Sequence, residues 1–426
     1  MRLALNKKPF IAQSLALSVA ALMMTTTHAA TKEQQELAQL RAEVAELKAL
    51  MQQQQQVQQQ QAVQIQQVKA QPAPVKAESP LSSFKSKSGA DINLYGFVRG
   101  DANYIIKGAD NDFNSAHTSK EEASDKLRAT AKVTRLGLDF NTPVGDNKVG
   151  GKVEVDFASS DNDKSENLRI RHAYLTYNNW LFGQTTSNFL SNHAPEMIDF
   201  ATNVGGGTAR IPQVRYGFNL SPATKLFIAA EEGNSNSGSS DAAIKYSVPN
   251  LTAKLTQGFA DGKGSVSARA LVENYKSAND SDTGWGVAAG VNYQVMDPLK
   301  LSADVSYVDG NSNYLYGSNS AYVVNTSNGK IAQNEAFGVQ VGGTYKFNEK
   351  LRSTLAYGAL FADDGTDYAR INDAANEEVY QAWINFIYSP VKPLDLGVEY
   401  INGKRDTFAG NSYKDNRVGL MAKYSF

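Results

Sequence analysis

Arginine is the side chain whose spacing in this chain could do chemistry. Arg99, Arg135, Arg169, Arg171, Arg215, Arg269 and Arg352 fall on the polar parity of segments that alternate polar and apolar residues, and Arg210 closes a long glycine-rich stretch. Lys152, Lys254 and Lys423 share that parity. Guanidinium groups gathered in a confined wet passage lower the barrier to carboxylates and can grip them bidentately. The plainer alternative is scaffolding, with each arginine neutralised by Asp101, Asp139, Glu154, Asp156, Glu273 or Glu399. Residues 187–210, SNFLSNHAPEMIDFATNVGGGTAR, add Pro195, Glu196 and Asp199, and these two carboxylates would set a field across the passage from a basic wall. Phe189, Leu190, Met197, Ile198 and Phe200 are out of place in a surface loop, and folding inward would bury them.

Other chemistries find little support. The chain has no cysteine, which excludes disulfides, thiolate metal sites and cysteine nucleophiles. His117 lies in a charged segment, His172 beside Arg171 and His193 within 187–210, with no Ser-His-acid arrangement among them, so no enzyme is expected. The glycines at 205–207 are followed by no Lys-Ser/Thr pair and no helix, which argues against a phosphate loop. No metal or cofactor is expected. With 42 basic and 43 acidic residues the net charge is −1, so nucleic acid is not the expected partner.

The elements that must position the arginines are strands. In the last segment, KDNRVGLMAKYSF, Val418, Leu420, Ala422, Tyr424 and Phe426 share one parity, and mostly polar residues share the other. Alternate side chains of a strand point to opposite faces. A free final strand exposes backbone groups that lipid cannot satisfy, so in a membrane it must close against the first strand. The same alternation recurs from Ile92 onward, through Leu136–Phe140, Val153–Phe157, Val214–Leu220, Trp285–Tyr293, Leu299–Tyr307, Phe337–Phe347, Leu351–Tyr357, Tyr380–Tyr388 and Leu394–Tyr400. Short turns (SPAT, MDP, NEK, SPVKP) alternate with long polar loops such as 309–334 and 361–376, and aromatics gather at segment ends.

The pattern predicts an all-β transmembrane barrel of about 16 antiparallel strands over 91–426, wide enough for an aqueous lumen. Two places resist it: LRIRHAYLTY changes parity midway, and 241–250 reads as strand or loop, the loop giving an even count. A mean hydropathy of −0.40 fits, because only alternate residues need be apolar.

The amino-terminal part reads differently. A basic start, an apolar core from Ile11 to Met24 and small residues near Ala29 and Ala30 predict a secretory signal peptide over 1–30. Leu37, Leu40, Val44, Leu47 and Met51 follow 3-4 spacing, so 31–70 is expected to form a self-associating coiled coil in the periplasm. A lone frayed helix in a Gln-rich segment is the alternative. Residues 71–90, rich in Pro and Ser, read as a linker.

Three stretches carry a family resemblance. The terminal Phe426 with alternating apolar residues before it resembles the carboxy-terminal signature of bacterial outer-membrane barrels, which implies a partner in the barrel-assembly machinery. Residues 187–210 resemble the third loop of trimeric bacterial porins, which enters the lumen and often carries a Pro-Glu pair, and RLGLDFNTPVGDNKVGGKVEVDF is similar to their second and third strands. The order of signal, coiled-coil segment, linker and barrel most resembles the DcaP-like porins. That likeness implies a homotrimer in the outer membrane, surrounded by lipid, that admits small anions, notably dicarboxylates. A non-selective diffusion porin and an envelope protein tethered by its coiled coil are the rival expectations.

Overall fold

The computed structural model describes residues 83–426, except 88, 159–166, 208 and 234–243. The expected signal peptide, the coiled-coil segment and all but the end of the linker lie outside the described residues.

From Asp91 the alternation becomes a continuous antiparallel ladder. Its first strands are β1 (Asp91–Gly108), β2 (in two pieces, Ala123–Thr130 and Arg135–Val144), β3 (Asn147–Asp156), β4 (Arg169–Tyr177) and β5 (Trp180–Thr186). Next come β6 (Arg210–Asn219), β7 (Thr224–Glu231), β8 (Asn250–Phe259), β9 (Gly264–Lys276), β10 (Ser281–Met296) and β11 (Leu299–Asp309). β12 (Glu335–Lys346), β13 (Leu351–Ala362), β14 (Asn376–Val391), β15 (Leu394–Thr407) and β16 (Ser412–Ser425) complete the wall. β16 pairs back onto β1, with Phe97 opposite Ser425, and Gly96 and Phe426 exchange both backbone hydrogen bonds at 3.1 Å. No edge is left at this seam. The result is the expected closed 16-strand barrel; the described residues 244–249 precede β8 outside any strand, with an isolated Lys245–Lys276 bridge and Tyr246 packed on Tyr275.

Two irregularities explain where the pattern was hard to follow. Glu154 pairs with His172 but Val155 pairs with Ile170, so Arg171 is the extra residue of a β-bulge. A bulge shifts the parity by one and turns both Arg171 and His172 toward the lumen, which is the change seen in LRIRHAYLTY. β2 is broken at 131–134, and both pieces pair with β1. The Thr134 hydroxyl accepts the Arg99 N–H at 3.1 Å and donates to the Arg99 carbonyl at 3.2 Å, standing in for the lost ladder bonds. The upper piece, ASDKLRAT, carries too little alternation to be read as strand.

The outer face carries the exposed apolar rows, Leu136, Leu138 and Phe140 among them. Aromatic pairs ring it at two heights. Trp180–Tyr216, Phe259–Tyr293 and Tyr345–Phe347 lie near the short turns, and Trp285–Tyr307 and Phe337–Phe361 near the long loops. Amphipathic rings at two levels mark the two interfaces of a bilayer. Tight turns such as 145–146 and 297–298 close the periplasmic end, and long segments such as 109–122 and 310–334 the outer end.

Candidate functional site

The described residues of 187–209 leave β5, run inside the barrel and return at Arg210. A chain inside a wall needs partners for its backbone groups, and the inward residues of the wall supply them. The Glu399 carboxylate accepts the N–H groups of Ile198 and Asp199 at 2.8 and 2.9 Å, and Gln381 accepts that of Val204 at 3.0 Å. Trp383 and Asn385 both donate to the Glu196 carbonyl at 3.1 Å, and Gln340 donates to that of Val204 at 3.1 Å. Phe189, Ile198 and Val204 are buried, as their apolar character requires. Close approach needs bare wall. A Cβ on Gly342 would stand 2.7 Å from Pro195, and one on Gly358 would stand 2.2 Å from the Val204 carbonyl oxygen.

Two expected channel-lining arginines are consumed by this anchorage. Arg99, 2 % exposed, grips Asp101 through Nε and Nη2 and donates to the Ile198 carbonyl at 2.6 Å. Arg269 is paired with Asp304 at 2.7 Å and donates to the Phe189 carbonyl. Both are withdrawn from the water path, as the scaffolding alternative has it. Asp199 is also withdrawn: its carboxylate accepts the N–H of Asn114 at 2.7 Å and of Ala201 at 2.9 Å, and burial pushes its pKa up to about 6. It ties the inward loop to the segment 109–122 instead of setting a field across the lumen. Phe200 departs from expectation in the other direction. It stays 40 % exposed and faces the Arg99 and Arg135 guanidiniums, at 4.6 and 5.8 Å.

Four arginines do converge. Arg171 bonds Glu154 at 2.8 Å and Asp156 at 2.7 Å, while Arg169 forks onto Asp156 with two bonds of 2.8 Å. Arg135 lies 3.5 Å from Glu154, between the rings of Phe97 and Phe200. Arg210, half-buried at the start of β6, stands in the fields of Arg171, Arg169 and Arg135. Among the described residues, Arg135, Arg169 and Arg171 thus share Glu154 and Asp156 on one wall, with Arg210 beside them. Arg215 and Lys254 form a smaller basic patch with Phe227 on β6–β8. Arg352 is held bidentately by Glu196, with contacts of 2.8 and 2.9 Å, at the periplasmic side. Lys152 pairs with Asp139 and Lys423 with Asp395. Of the acids expected as counter-charges, Glu399 instead takes backbone N–H groups and Glu273 takes the Asn250 amide.

Of the residues that grip the loop, Gln340, Gln381, Trp383 and Asn385 were not among the candidates read from the sequence, and Glu399 entered there only as a counter-charge to arginine. Nor was the fully buried Asp415–Arg417 pair a candidate, which holds the backbone of 109–115 through the Ala109 and Asn111 carbonyls and the Ser115 N–H. Their one sequence signal is bulky polar side chains on the inward parity of β12–β16.

A closed 16-strand barrel with a chain segment folded into a polar lumen defines the porin class of outer-membrane channels. Within that class, the model of the family described as DcaP outer membrane protein matches residues 23–426, and the chain belongs to that family. It is 70 % identical to the outer membrane channel DcaP of Acinetobacter baumannii, over 81 % of this chain and 100 % of that one, with a TM-score of 0.78. Salmonella typhi OmpF (15 % identity, 81 % and 100 % coverage, TM-score 0.54) and an anion-selective porin from Comamonas acidovorans (13 %, 79 % and 100 %, 0.51) share the fold. No curated protein matches the chain. The protein is therefore a bacterial outer-membrane channel.

Proposed function

We propose that this channel passes small anions in preference to cations, dicarboxylates among them, by passive diffusion. The observation that carries the reading is the gathering of Arg135, Arg169 and Arg171, with Arg210 beside them, on the wall that carries Glu154 and Asp156, where the exposed ring of Phe200 faces Arg135 at 5.8 Å. The excess positive charge attracts carboxylates, and fixed guanidinium geometry suits their two oxygens. Because Glu154 and Asp156 hold Arg169 and Arg171 in close ion pairs, the positive field at the lumen comes chiefly from Arg135, whose carboxylate lies at 3.5 Å. Pro195 and Glu196 set the loop tip against Gly342 and Arg352, which fixes how much lumen stays open on the arginine side.

The rest of the reading concerns assembly. The chain would be exported by residues 1–30 and trimerise, with 31–70 as a periplasmic coiled coil joined by 71–90 to the barrel. Phe426, paired with Gly96 at the seam, would be the mark read by the barrel-assembly machinery. The test is single-channel recording in planar bilayers with succinate against potassium. Replacing Arg135, Arg169 and Arg171 together by Ala should sharply reduce anion selectivity, and undiminished selectivity would refute the assignment of these residues.

A further inference from the structure

One guanidinium of the arginine wall is held in a way that its neighbours are not. Arg135 opens the second piece of β2, where the ladder sets Asp156 opposite it on β3 and Phe97 opposite it on β1. Asp156 would be its natural counter-charge, yet the oxygens of Asp156 are taken by Arg169 at 2.8 Å and by Arg171 at 2.7 Å. Glu154 is taken in turn by Arg171 and by the Tyr95 hydroxyl, both at 2.8 Å. Arg135 stays 3.5 Å from Glu154, and among the described residues it donates no hydrogen bond. Its Nε is buried and bare, while 18 % of its side chain remains open. A buried donor without an acceptor is costly, so something else must hold this side chain where it is.

Two aromatic rings do. The Arg135 guanidinium carbon lies 5.1 Å from the centroid of Phe97 and 5.8 Å from that of Phe200. Within about 6 Å the negative face of a ring attracts a cation, and a planar, weakly hydrated guanidinium suits such a face well. Phe200 is itself fixed. Arg99 lies 4.6 Å from its centroid and donates to the Ile198 carbonyl, two residues earlier, at 2.6 Å. The carboxylate of Asp199, next to Phe200, is tied to the N–H groups of Asn114 and Ala201. Among the apolar residues of the loop Phe200 is an exception, 40 % exposed where Phe189, Ile198 and Val204 are sealed. A ring left in a wet lumen gains little from burial, and the guanidiniums are what it faces.

We propose that Phe97 and Phe200 are positioning residues for Arg135, holding its guanidinium by their faces so that its charge is not spent on Glu154. This rests on the anion-preferring reading above and names how the arginine central to it is kept effective. A carboxylate would fix the side chain equally well but would cancel its field. An aromatic face fixes it and leaves both the positive charge and the N–H donors to a passing carboxylate. Without the rings, a small rotation brings Nε into hydrogen-bonding distance of Glu154, and the ion pair closes. Phe97 belongs to the wall and Phe200 to the inward loop, so the loop takes part in setting the charge of the passage.

The test replaces Phe200 in the full-length channel by phenylalanines carrying one, two and three ring fluorines, which keep the shape of the ring while weakening its negative face stepwise. Reversal potentials across a KCl gradient in planar bilayers give the chloride-to-potassium permeability ratio. That ratio should fall with each fluorine, by at least about twofold across the series, with F200L at the low end and F200W close to the parent. In channels that also carry R135Q the series should be flat, because the coupling is to that guanidinium. F97L should lower the ratio as well, again only while Arg135 is present. A ratio indifferent to fluorine, or a slope that survives R135Q, would overturn the proposal while leaving a chloride-preferring parent in place. A parent without chloride preference would instead refute the anion reading, and this inference with it.

Discussion

At the scale of single residues, the parity rule found which arginines turn inward, but not which of them meet water. Arg99 and Arg171 look alike in sequence. One is sealed beneath the loop with Asp101, and the other belongs to the four-arginine cluster on β2, β4 and β6. The difference lies in contacts made 99 residues away with the Ile198 carbonyl, which no local pattern encodes. Neutralising the counter-charges should therefore act opposite to neutralising the arginines. E154Q with D156N should raise anion preference over the parent in bilayer recordings, and a fall would mean these acids do not limit the field. Glu196 offers a second check. It is half-exposed and its pair with Arg352 is worth about 1 kcal/mol or less, so E196A should leave folding intact while loosening the loop tip and increasing open-channel noise.

Among the elements, strands were legible because lipid and water impose a period of two on nearly every segment. The exceptions have local causes: the bulge at Arg171, and the Thr134-mended break in β2. The inward course of 187–209 was legible from its misplaced apolar residues, whereas its grip by Glu399, Gln340 and Gln381 was not, since those side chains only read as polar. Two predictions belong here. Gly342→Val would drive a side chain into Pro195 and Ala356 and should destabilise the barrel by about 1–3 kcal/mol or displace the loop, seen as a lowered unfolding midpoint or a changed conductance. Asp199 provides a pH signature. Its buried carboxyl, raised from 3.8 to about 6, binds its proton more tightly folded than unfolded, so its stabilising contribution is full at low pH and is lost as pH rises through about 6. The difference in midpoint between parent and D199N should move in favour of D199N between about pH 4 and pH 7. A constant difference would show that burial does not hold this proton.

For the molecule as a whole, the loops and the wall are tied into one network. The segments 109–119 and 187–209 bond to each other through Asp199 and to β12–β16 through Gln381, Glu399 and the Asp415–Arg417 pair. On the proposed reading, the loop packing and the wall charge act together on the passage. The amino-terminal 31–70 should matter for association and not for permeation. Its deletion is expected to lower the heat resistance of the proposed trimer on gels while single-channel conductance stays as in the parent. The most direct measurement of the central claim is the reversal potential of the unaltered channel across a KCl gradient. A potential of the sign set by chloride is predicted; zero potential, or one set by potassium, would contradict it.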